Sequence, residues 1–202
     1  MTAEPVAAAG IVLCGGRSSR MGRPKAWLPF AGELMLPRVV RLLSEVVSPI
    51  VVVASAAQKL PPLSTDVILA YDPQADQGPL QGLIAGLGEM DADGAYVSSC
   101  DVPLLRPAFV RRMIELLGDF QACVPQVGGR LHPLAAVYRR EVVATAEQLL
   151  AIGQRSLTEL CRVLRTRIVT ADELTDVDPD LRSLRNLNTA EDYAAAVREA
   201  GP

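Results

Sequence analysis

Short, almost continuously apolar runs alternate with amphipathic segments in the first half of the chain. The apolar runs predict four strands, at residues 10–14, 49–54, 66–70 and 95–99. Runs of this kind are typical of parallel strands that are covered on both faces. Apolar residues at three- and four-residue spacing predict three helices, at residues 38–46, 80–90 and 109–117. Strands that alternate with helices indicate βαβ units.

The second half of the chain is less regular and predicts a mixture of strands and helices. Strands are predicted at residues 122–125, 134–138 and 167–169, with a turn at 127–130. Helices are predicted at residues 141–152, 156–162 and 189–198. Because no internal repeat or linker interrupts these elements, we expect a single α/β domain, a Rossmann-like, doubly wound, mostly parallel sheet with helices on both faces. The domain is predicted to span residues 10–202, after a flexible N-terminal tail at residues 1–9.

Composition narrows the classes of function. The 202 residues are 50% hydrophobic and carry a net charge of −3, which excludes a disordered chain and argues against nucleic acid or an anionic membrane as a partner. One Trp, four Tyr and three Phe leave little material for stacking on bases. His132 is the single histidine, which excludes histidine-rich metal sites.

Cysteine usage and the lengths of the apolar segments favour a reduced, cytoplasmic protein. The four cysteines form no C-x-x-C pair and are predicted to be reduced and mostly buried: Cys14, Cys100, Cys123 and Cys161. Residues 1–9 lack the basic region and the long apolar core of a signal peptide. No segment approaches the roughly 20 apolar residues that would span a bilayer. We therefore expect a cytoplasmic localisation and no membrane partner.

The segment after the first predicted strand, residues 13–25, combines glycine with a concentration of positive charge. Gly15, Gly16 and Gly22 would leave backbone N–H groups uncovered and let a ligand approach closely. Four cations and no acid fall within nine residues of this segment, which favours a polyphosphate ligand. The glycine spacing matches neither a Walker A loop nor the dinucleotide G-x-G-x-x-G motif. The alternative interpretation is a strand-to-helix turn with a solvated basic edge.

The sequence of this segment, LCGGRSSRMGRPK, resembles the L-x-G-G-x-S-x-R-M-G-x-x-K motif of the MobA-like molybdenum cofactor guanylyltransferases, a family of the nucleotidyltransferase superfamily. The resemblance implies a nucleotide-diphospho-sugar transferase-like fold. It also implies nucleotide binding by Leu13, Cys14, Gly15, Gly16, Ser18, Arg20, Gly22 and Lys25. Arg20 and Lys25 take catalytic roles in this interpretation, because they would hold the triphosphate and stabilise the charge of the leaving pyrophosphate.

A second element follows the fourth predicted strand and reads Ser99-Cys100-Asp101-Val102-Pro103. Ligands of open α/β sheets bind beyond the carboxyl ends of the strands, so Asp101 should face the same crevice as the glycine-rich segment. An aspartate in this setting is often a turn residue only. The element is similar to the Cys-Asp-x-Pro sequence of the family, which implies that Asp101 is catalytic, contacts the nucleotide and is the Mg²⁺ ligand. Cys100 is then a neighbour of the metal ligand and not a ligand itself.

A third element pairs Asp72 with a Gly-Pro sequence that begins six residues later, at Gly78-Pro79-Leu80-Gln81-Gly82. It resembles the family's aspartate followed by G-P-L-x-G, which implies guanosine recognition by Asp72. Close approach of the nucleotide is implied for Gly78, Pro79, Leu80 and Gly82. The same segment is also an ordinary Gly-Pro helix entry. Ser55 stands where family members often have an asparagine, so one expected nucleotide contact is either unfilled or made by Ser55.

Two elements of the second half complete the resemblance. Asn186-Leu187-Asn188-Thr189 matches the family's N-x-N-T sequence, which implies that Asn186 and Asn188 reach the metal or phosphate side of the site. Loop asparagines usually satisfy their own turns, and a threonine in this position is a natural N-cap. Residues 130–134 resemble a family segment that ends in Pro-Leu. His132 in that segment is either a contact of the pterin substrate or a structural loop residue.

The resemblance spans residues 10–195 and implies transfer of GMP from GTP to the terminal phosphate of molybdenum-molybdopterin, with release of pyrophosphate. It implies GTP and molybdenum-molybdopterin as partners, together with proteins that deliver or accept the cofactor. Three alternatives remain at this point. A CTP-dependent molybdopterin cytidylyltransferase typically has Ala-Gly in place of Gly15-Gly16, and a sugar-phosphate nucleotidyltransferase is usually longer. A non-catalytic nucleotide-binding module would not need both Lys25 and Asp101.

Overall fold

The computed structural model of the protein describes residues 8–15, 24–72 and 78–200. The strands in these ranges are β1 (Ala8–Leu13), β2 (Pro29–Phe30), β3 (Glu33–Leu34), β4 (Ile50–Ser55), β5 (Val67–Asp72), β6 (Gly94–Ser99), β7 (Ala122–Val127), β8 (Arg130–Leu131), β9 (Ala136–Arg139) and β10 (Thr166–Thr170). The helices are α1 (Met35–Ser44), α2 (Pro79–Gly88), α3 (Pro107–Glu115), α4 (Val142–Ala151), α5 (Leu157–Val163) and α6 (Ala190–Ala200).

One central sheet has the strand order β10-β7-β9-β6-β1-β4-β5, with β8 paired to β7. β1 lies between β4 and β6 and is parallel to both, so that Leu13 is opposite Val53 on one side and Ser99 on the other. β5 continues the parallel set beyond β4. β9 is antiparallel to both β6 and β7, and β10 is parallel to β7. The predicted α/β fold with a mostly parallel sheet is confirmed.

Successive residues of a strand point to opposite faces of the sheet, so the apolar strands present hydrophobic side chains on both faces. Helices cover both of these faces. Val12 belongs to the core formed with α1 and α3, whereas Ile11 and Leu13 belong to the core formed with α2, α4 and α5. Two glycines let α2 lie close against β1. A Cβ on Gly86 would approach Ile11 Cγ2 to 2.7 Å, and one on Gly82 would approach Leu13 Cδ2 to 3.2 Å.

The predicted strands and helices are all present, with boundaries that move by a few residues. β1 begins at Ala8, so residues 8 and 9 belong to the strand and not to the predicted tail, whose residues 1–7 lie outside the described ranges. The sequence analysis missed the short β2–β3 hairpin. Ser156 caps α5 by accepting a hydrogen bond from Thr158 N. The four cysteines are free and buried, as predicted.

No helix within the described ranges is long and apolar enough to cross a bilayer.

Candidate active site

Asp101 lies directly beyond the carboxyl end of β6, at the edge of the sheet that the topology favours for ligands. Asp101 is 7% exposed, and its backbone carbonyl oxygen accepts a hydrogen bond from Leu187 N at 2.9 Å. The preceding residue, Cys100, donates its N–H to Leu13 O at 3.2 Å. The backbone on both sides of Asp101 is therefore fixed against β1 and against the segment that precedes α6.

Lys25 contacts Asp101 across 76 positions of sequence. It is the first residue of a 3₁₀ turn, Lys25–Trp27, that follows the glycine-rich segment. Its Nζ donates to Asp101 Oδ2 at 2.7 Å and to Asn188 Oδ1 at 2.9 Å. The fold thus brings together Lys25, Asp101 and Asn188, which were predicted as site residues from three separate motifs.

The other carboxylate oxygen of Asp101 has a different set of partners. Ser99 Oγ donates to Asp101 Oδ1, and Asn186 Nδ2 donates to the same oxygen at 2.8 Å. Asn186 Nδ2 also lies 2.9 Å from Ser99 Oγ, so the three side chains form a closed triangle. Ser99 was predicted as a strand residue without a role in the site. Its position two residues before Asp101, at the polar end of an otherwise apolar strand, is the sequence feature that could have indicated such a role.

An ion pair between the buried Asp178 and the partly exposed Arg106 anchors the segment that carries both asparagines. Asp178 is fully buried, with its Oδ1 3.2 Å from Arg106 Nε. Its Oδ2 accepts a hydrogen bond from Ser183 N at 2.8 Å, and Ser183 Oγ in turn accepts one from Arg106 N at 3.0 Å. Leu187 is fully buried between the two asparagines. This anchoring holds Asn186 and Asn188 on either side of Asp101.

Half of the predicted glycine-rich site can be located. Gly16, Ser18, Arg20 and Gly22 lie outside the described residues. Leu13 and Cys14 are buried, and Cys14 N donates to Val53 O at 2.8 Å, so their side chains belong to the core. Gly15 is exposed, and a Cβ added to it would have open space within 4 Å. The described part of this segment thus consists of Gly15, two residues after the end of β1, and of Pro24 and Lys25 at the start of the 3₁₀ turn.

The predicted guanosine-recognition residues lie farther along the same edge of the sheet. Asp72 ends β5 and pairs in register with Ser55, the last residue of β4. Gly78 has a positive φ of 81°, and a Cβ there would meet Arg155 O at 3.1 Å, so both backbone conformation and space require glycine. Pro79 begins α2, while Leu80 is fully buried beneath it. The intervening residues 73–77 lie outside the described ranges.

A cavity of about 620 Å³ opens on the opposite side of Asp101, towards β7 and β9. Asn186 lines it, together with Arg130, His132, Thr158 and Arg162. Burial lowers the pKa of His132 below its usual value, and the positive charge of Arg130 lowers it further. His132 is therefore mainly neutral at pH 7, in a cavity whose fixed charges are two arginines.

Comparison with known proteins assigns these features to a family. The sequence matches the family described as the MobA-like NTP transferase domain over residues 10–171. The chain belongs to this family. A molybdenum cofactor guanylyltransferase from Desulfosudis oleivorans is 34% identical over 192 residues, which are 94% of this chain and 94% of that protein. The family is one of nucleotidyltransferases, so the MobA-like chain is an enzyme of that class.

Solved structures show the same fold for the MobA-like chain. Molybdopterin-guanine dinucleotide biosynthesis protein A from Archaeoglobus fulgidus superposes with a TM-score of 0.80 at 20% identity, covering 95% of this chain and 97% of that one. A protein from Mycobacterium tuberculosis H37Rv, solved in complex with manganese, has a TM-score of 0.65 at 18% identity, covering 95% and 98%. These similarities establish the fold.

The donor set around Asp101 fits a divalent cation that is shared with a substrate. Within the described ranges, no group of three or more His, Cys, Asp or Glu side chains could hold a metal ion. A positive charge, the Lys25 ammonium, already lies between two hard oxygen atoms, Asp101 Oδ2 and Asn188 Oδ1. Magnesium is commonly held by one or two carboxylates, with phosphate oxygens and water completing the octahedron. The single carboxylate of Asp101, beyond the carboxyl end of β6, is compatible with that requirement.

Cys100 does not compete for such a cation. Its hydrogen bond with Cys14 and its burial raise the pKa of the Cys100 thiol well above the usual value. Cys100 is therefore a neutral thiol at pH 7, whereas a thiolate is the form that binds metals. That Cys100 is a neighbour of the metal ligand and not a ligand itself stays a prediction.

Proposed function

We propose that this enzyme transfers GMP from GTP to the terminal phosphate of molybdenum-molybdopterin and releases pyrophosphate. The observation that carries the proposal is the contact of Lys25 with Asp101 and Asn188 at the carboxyl edge of the sheet. The similarity to relatives named as molybdenum cofactor guanylyltransferases supports the choice of substrates. The reaction requires the acceptor phosphate, the α-phosphorus of GTP and a stabilised pyrophosphate to lie in line.

Charge neutralisation is the main task of the protein in this reaction. Lys25, and Arg20 from the glycine-rich segment, would hold the triphosphate and stabilise charge on the departing pyrophosphate. The exposed Gly15 would let the phosphates approach the chain, and the absence of a side chain at Gly16 and Gly22 would favour the same approach. A phosphate monoester is largely ionised at neutral pH, so the acceptor needs no general base. The neutral His132 is consistent with this requirement.

Asp101 would hold Mg²⁺ at Oδ2, with the substrate phosphates as further ligands. When bound there, the metal supplies Lewis-acid polarisation of the α-phosphate and compensates the charge of the leaving group. Ser99 and Asn186 keep the carboxylate oriented by donating to its other oxygen. Asn188, on the opposite side of Lys25, adds an amide oxygen at the same position.

The two substrates would approach Asp101 from opposite sides. Asp72 and the glycine turn at Gly78 lie at the carboxyl ends of β5 and before α2, where we place the guanosine. The cavity beside Asn186 lies across the sheet, beyond β6, where we place the pterin acceptor. Its volume suits a small molecule, and Arg130 would supply positive charge for the acceptor's phosphate, whereas Arg162 is ion paired with Glu159. This arrangement puts both phosphates against Asp101.

The proposal includes a cytoplasmic location and association with proteins that deliver molybdenum-molybdopterin or accept the product. These two parts rest on the family resemblance. The association would be tested by a pull-down of the native protein with a carrier protein loaded with molybdenum-molybdopterin, followed by a measurement of cofactor transfer.

The experiment that tests the reaction measures pyrophosphate release from purified protein supplied with Mg²⁺, molybdenum-molybdopterin and either GTP or CTP. We expect release with GTP, a much lower rate with CTP, and loss of at least about a thousandfold in Asp101→Ala. Asp91→Ala removes an exposed carboxylate of the same chemical type and serves as the matched control. Equal rates with the two nucleotides would contradict the guanine assignment, and full activity of Asp101→Ala would contradict its role.

A further inference from the structure

The Lys25 ammonium occupies the position in which a metal would be bound. Its Nζ lies 2.7 Å from Asp101 Oδ2 and 2.9 Å from Asn188 Oδ1. The side chains of Lys25 and Asp101 are 19% and 11% exposed, so the pair is only weakly screened by solvent. A divalent cation at Oδ2 would lie within a few ångströms of this ammonium and would be repelled by it.

The two oxygens of the Asp101 carboxylate differ in how firmly they are held. Oδ1 accepts from Ser99 and from Asn186, two short side chains on a strand end and on an anchored segment. Oδ2 accepts from Lys25, a long side chain with four rotatable methylene groups. The partners of Oδ1 can stay in place while the partner of Oδ2 leaves. The structure therefore separates a fixed oxygen from an exchangeable one.

We infer that Lys25 is an exchangeable counter-ion of Asp101: it neutralises the carboxylate until metal and nucleotide bind, and then moves from Asp101 Oδ2 to the triphosphate. The inference rests on the proposed function for the choice of ligands, since it requires a divalent cation and a polyphosphate. Lys25 thereby avoids leaving a partly buried carboxylate uncompensated in the free enzyme. It also ties the two ligands together, because each one favours the conformation of Lys25 that the other requires.

Metal binding to the nucleotide-free protein tests the competition directly. Mn²⁺ alone is titrated and free Mn²⁺ is measured by electron paramagnetic resonance. Lys25→Met should bind Mn²⁺ about tenfold more tightly than the wild type, because the competing charge is gone. Lys59→Met removes the chain's other lysine, which is exposed, and should leave the affinity unchanged. Lys25→Arg keeps a competing charge and should remain near the wild type.

These outcomes decide the inference without any measurement of turnover. Lys25→Met that binds Mn²⁺ no more tightly than Lys59→Met overturns it, including the case in which neither binds. Asp101→Asn, introduced into Lys25→Met, should abolish the gained affinity for Mn²⁺. That loss would place the metal at the Asp101 carboxylate. Failure of the proposed reaction would appear separately, as absence of pyrophosphate release in a protein that still shows this pattern of metal binding.

Movement of Lys25 can be observed because the chain contains two lysines. Protein labelled with ¹³C at lysine Cε should give two signals, and Lys59→Met assigns them. Addition of Mg²⁺ should shift the Lys25 signal, with saturation at the metal concentration that fills the site, and Mg²⁺ with GTP should shift it again. The Lys59 signal should stay in place. A Lys25 signal that does not change when the site is saturated would overturn the exchange.

Discussion

Two buried carboxylates of this protein have partners of similar kinds but serve different purposes. Asp178 faces Arg106 and the backbone of Ser183, and it is fully buried. Asp101 faces Lys25 and the hydroxyl of Ser99, and its side chain is 11% exposed. The partners of Asp178 include a backbone N–H that cannot leave. The main charged partner of Asp101 is a flexible lysine side chain that can leave, and this difference separates a structural ion pair from the one that we propose to be catalytic.

The surroundings of Asp178 strengthen the comparison. Burial raises the pKa of the nearby Tyr96 phenol, and the charge of Asp178 raises it further. Tyr96 therefore stays neutral beside a carboxylate that is fixed in the core. Asp178 itself is fully buried and is not among the residues that line the cavity beside Asn186. The Asp178 pair acts on function only by holding the segment that carries Asn186 and Asn188.

The largest effect expected from breaking the comparison is on stability. Asp178→Ala should lower the free energy of unfolding by about 2 kcal/mol, because it leaves the buried Ser183 N–H without its acceptor. Asp101→Ala should change it by less than about 1 kcal/mol, because Lys25 keeps its contact with Asn188 and Asn186 still bonds Ser99. Urea unfolding of both variants measures the two values. Equal losses would mean that both carboxylates are structural.

The two serines provide a second, smaller contrast. Ser99→Ala should lower kcat for pyrophosphate release about tenfold while the KM for GTP stays nearly constant, because the carboxylate loses a donor that orients it. Ser99→Thr keeps the hydroxyl and should restore most of the rate. Ser183→Ala removes the acceptor of Arg106 N and should cost about 1 kcal/mol of stability with little change in kcat. Reversed results for the two serines would remove the distinction.

The smallest effect concerns the cavity beside Asp101. Burial and Arg130 lower the pKa of His132, so the unfolded chain takes up this proton at a higher pH than the folded chain. The free energy of unfolding should therefore fall as the pH drops below about 6.5, until the folded pKa is passed. His132→Gln should remove this part of the pH dependence. An NMR titration of the single histidine should give a pKa below 6.5, with an increase in Arg130→Gln.

Much of the fold could be predicted because its strands are local and strongly patterned. β1, β4 and β6 are mostly apolar runs, which predicts buried, parallel strands. In the structure all three are buried, and β1 pairs in parallel with β4 on one side and with β6 on the other. The insertion of β9 between β6 and β7 could not be predicted in the same way. An apolar run of four residues has no preferred direction or neighbour until the hairpin through β8 and the rest of the sheet are in place.

The candidate site likewise contains residues that could be predicted from the sequence and residues that could not. Lys25, Asp101, Asn186 and Asn188 belong to motifs that a sequence carries within a few residues, and the structure brings all four together. Ser99 was missed although its acceptor, Asp101, is two residues away, because the third member of the triangle, Asn186, is 87 positions away. Leu13, Cys14 and Leu80 were predicted as nucleotide-binding residues, and the structure buries their side chains, so any contact with the nucleotide must come from their backbone.

The sequence alone determined the family, the α/β class and the chemical types at the site, because these depend on periodicity and on short motifs. The tertiary structure decided which groups meet. It placed Lys25 on one oxygen of Asp101, placed Ser99 and Asn186 on the other, and set a cavity with two arginines beside them. Contacts of this kind join residues that are distant along the chain, and their geometry is fixed only when the sheet and its buried anchors have formed.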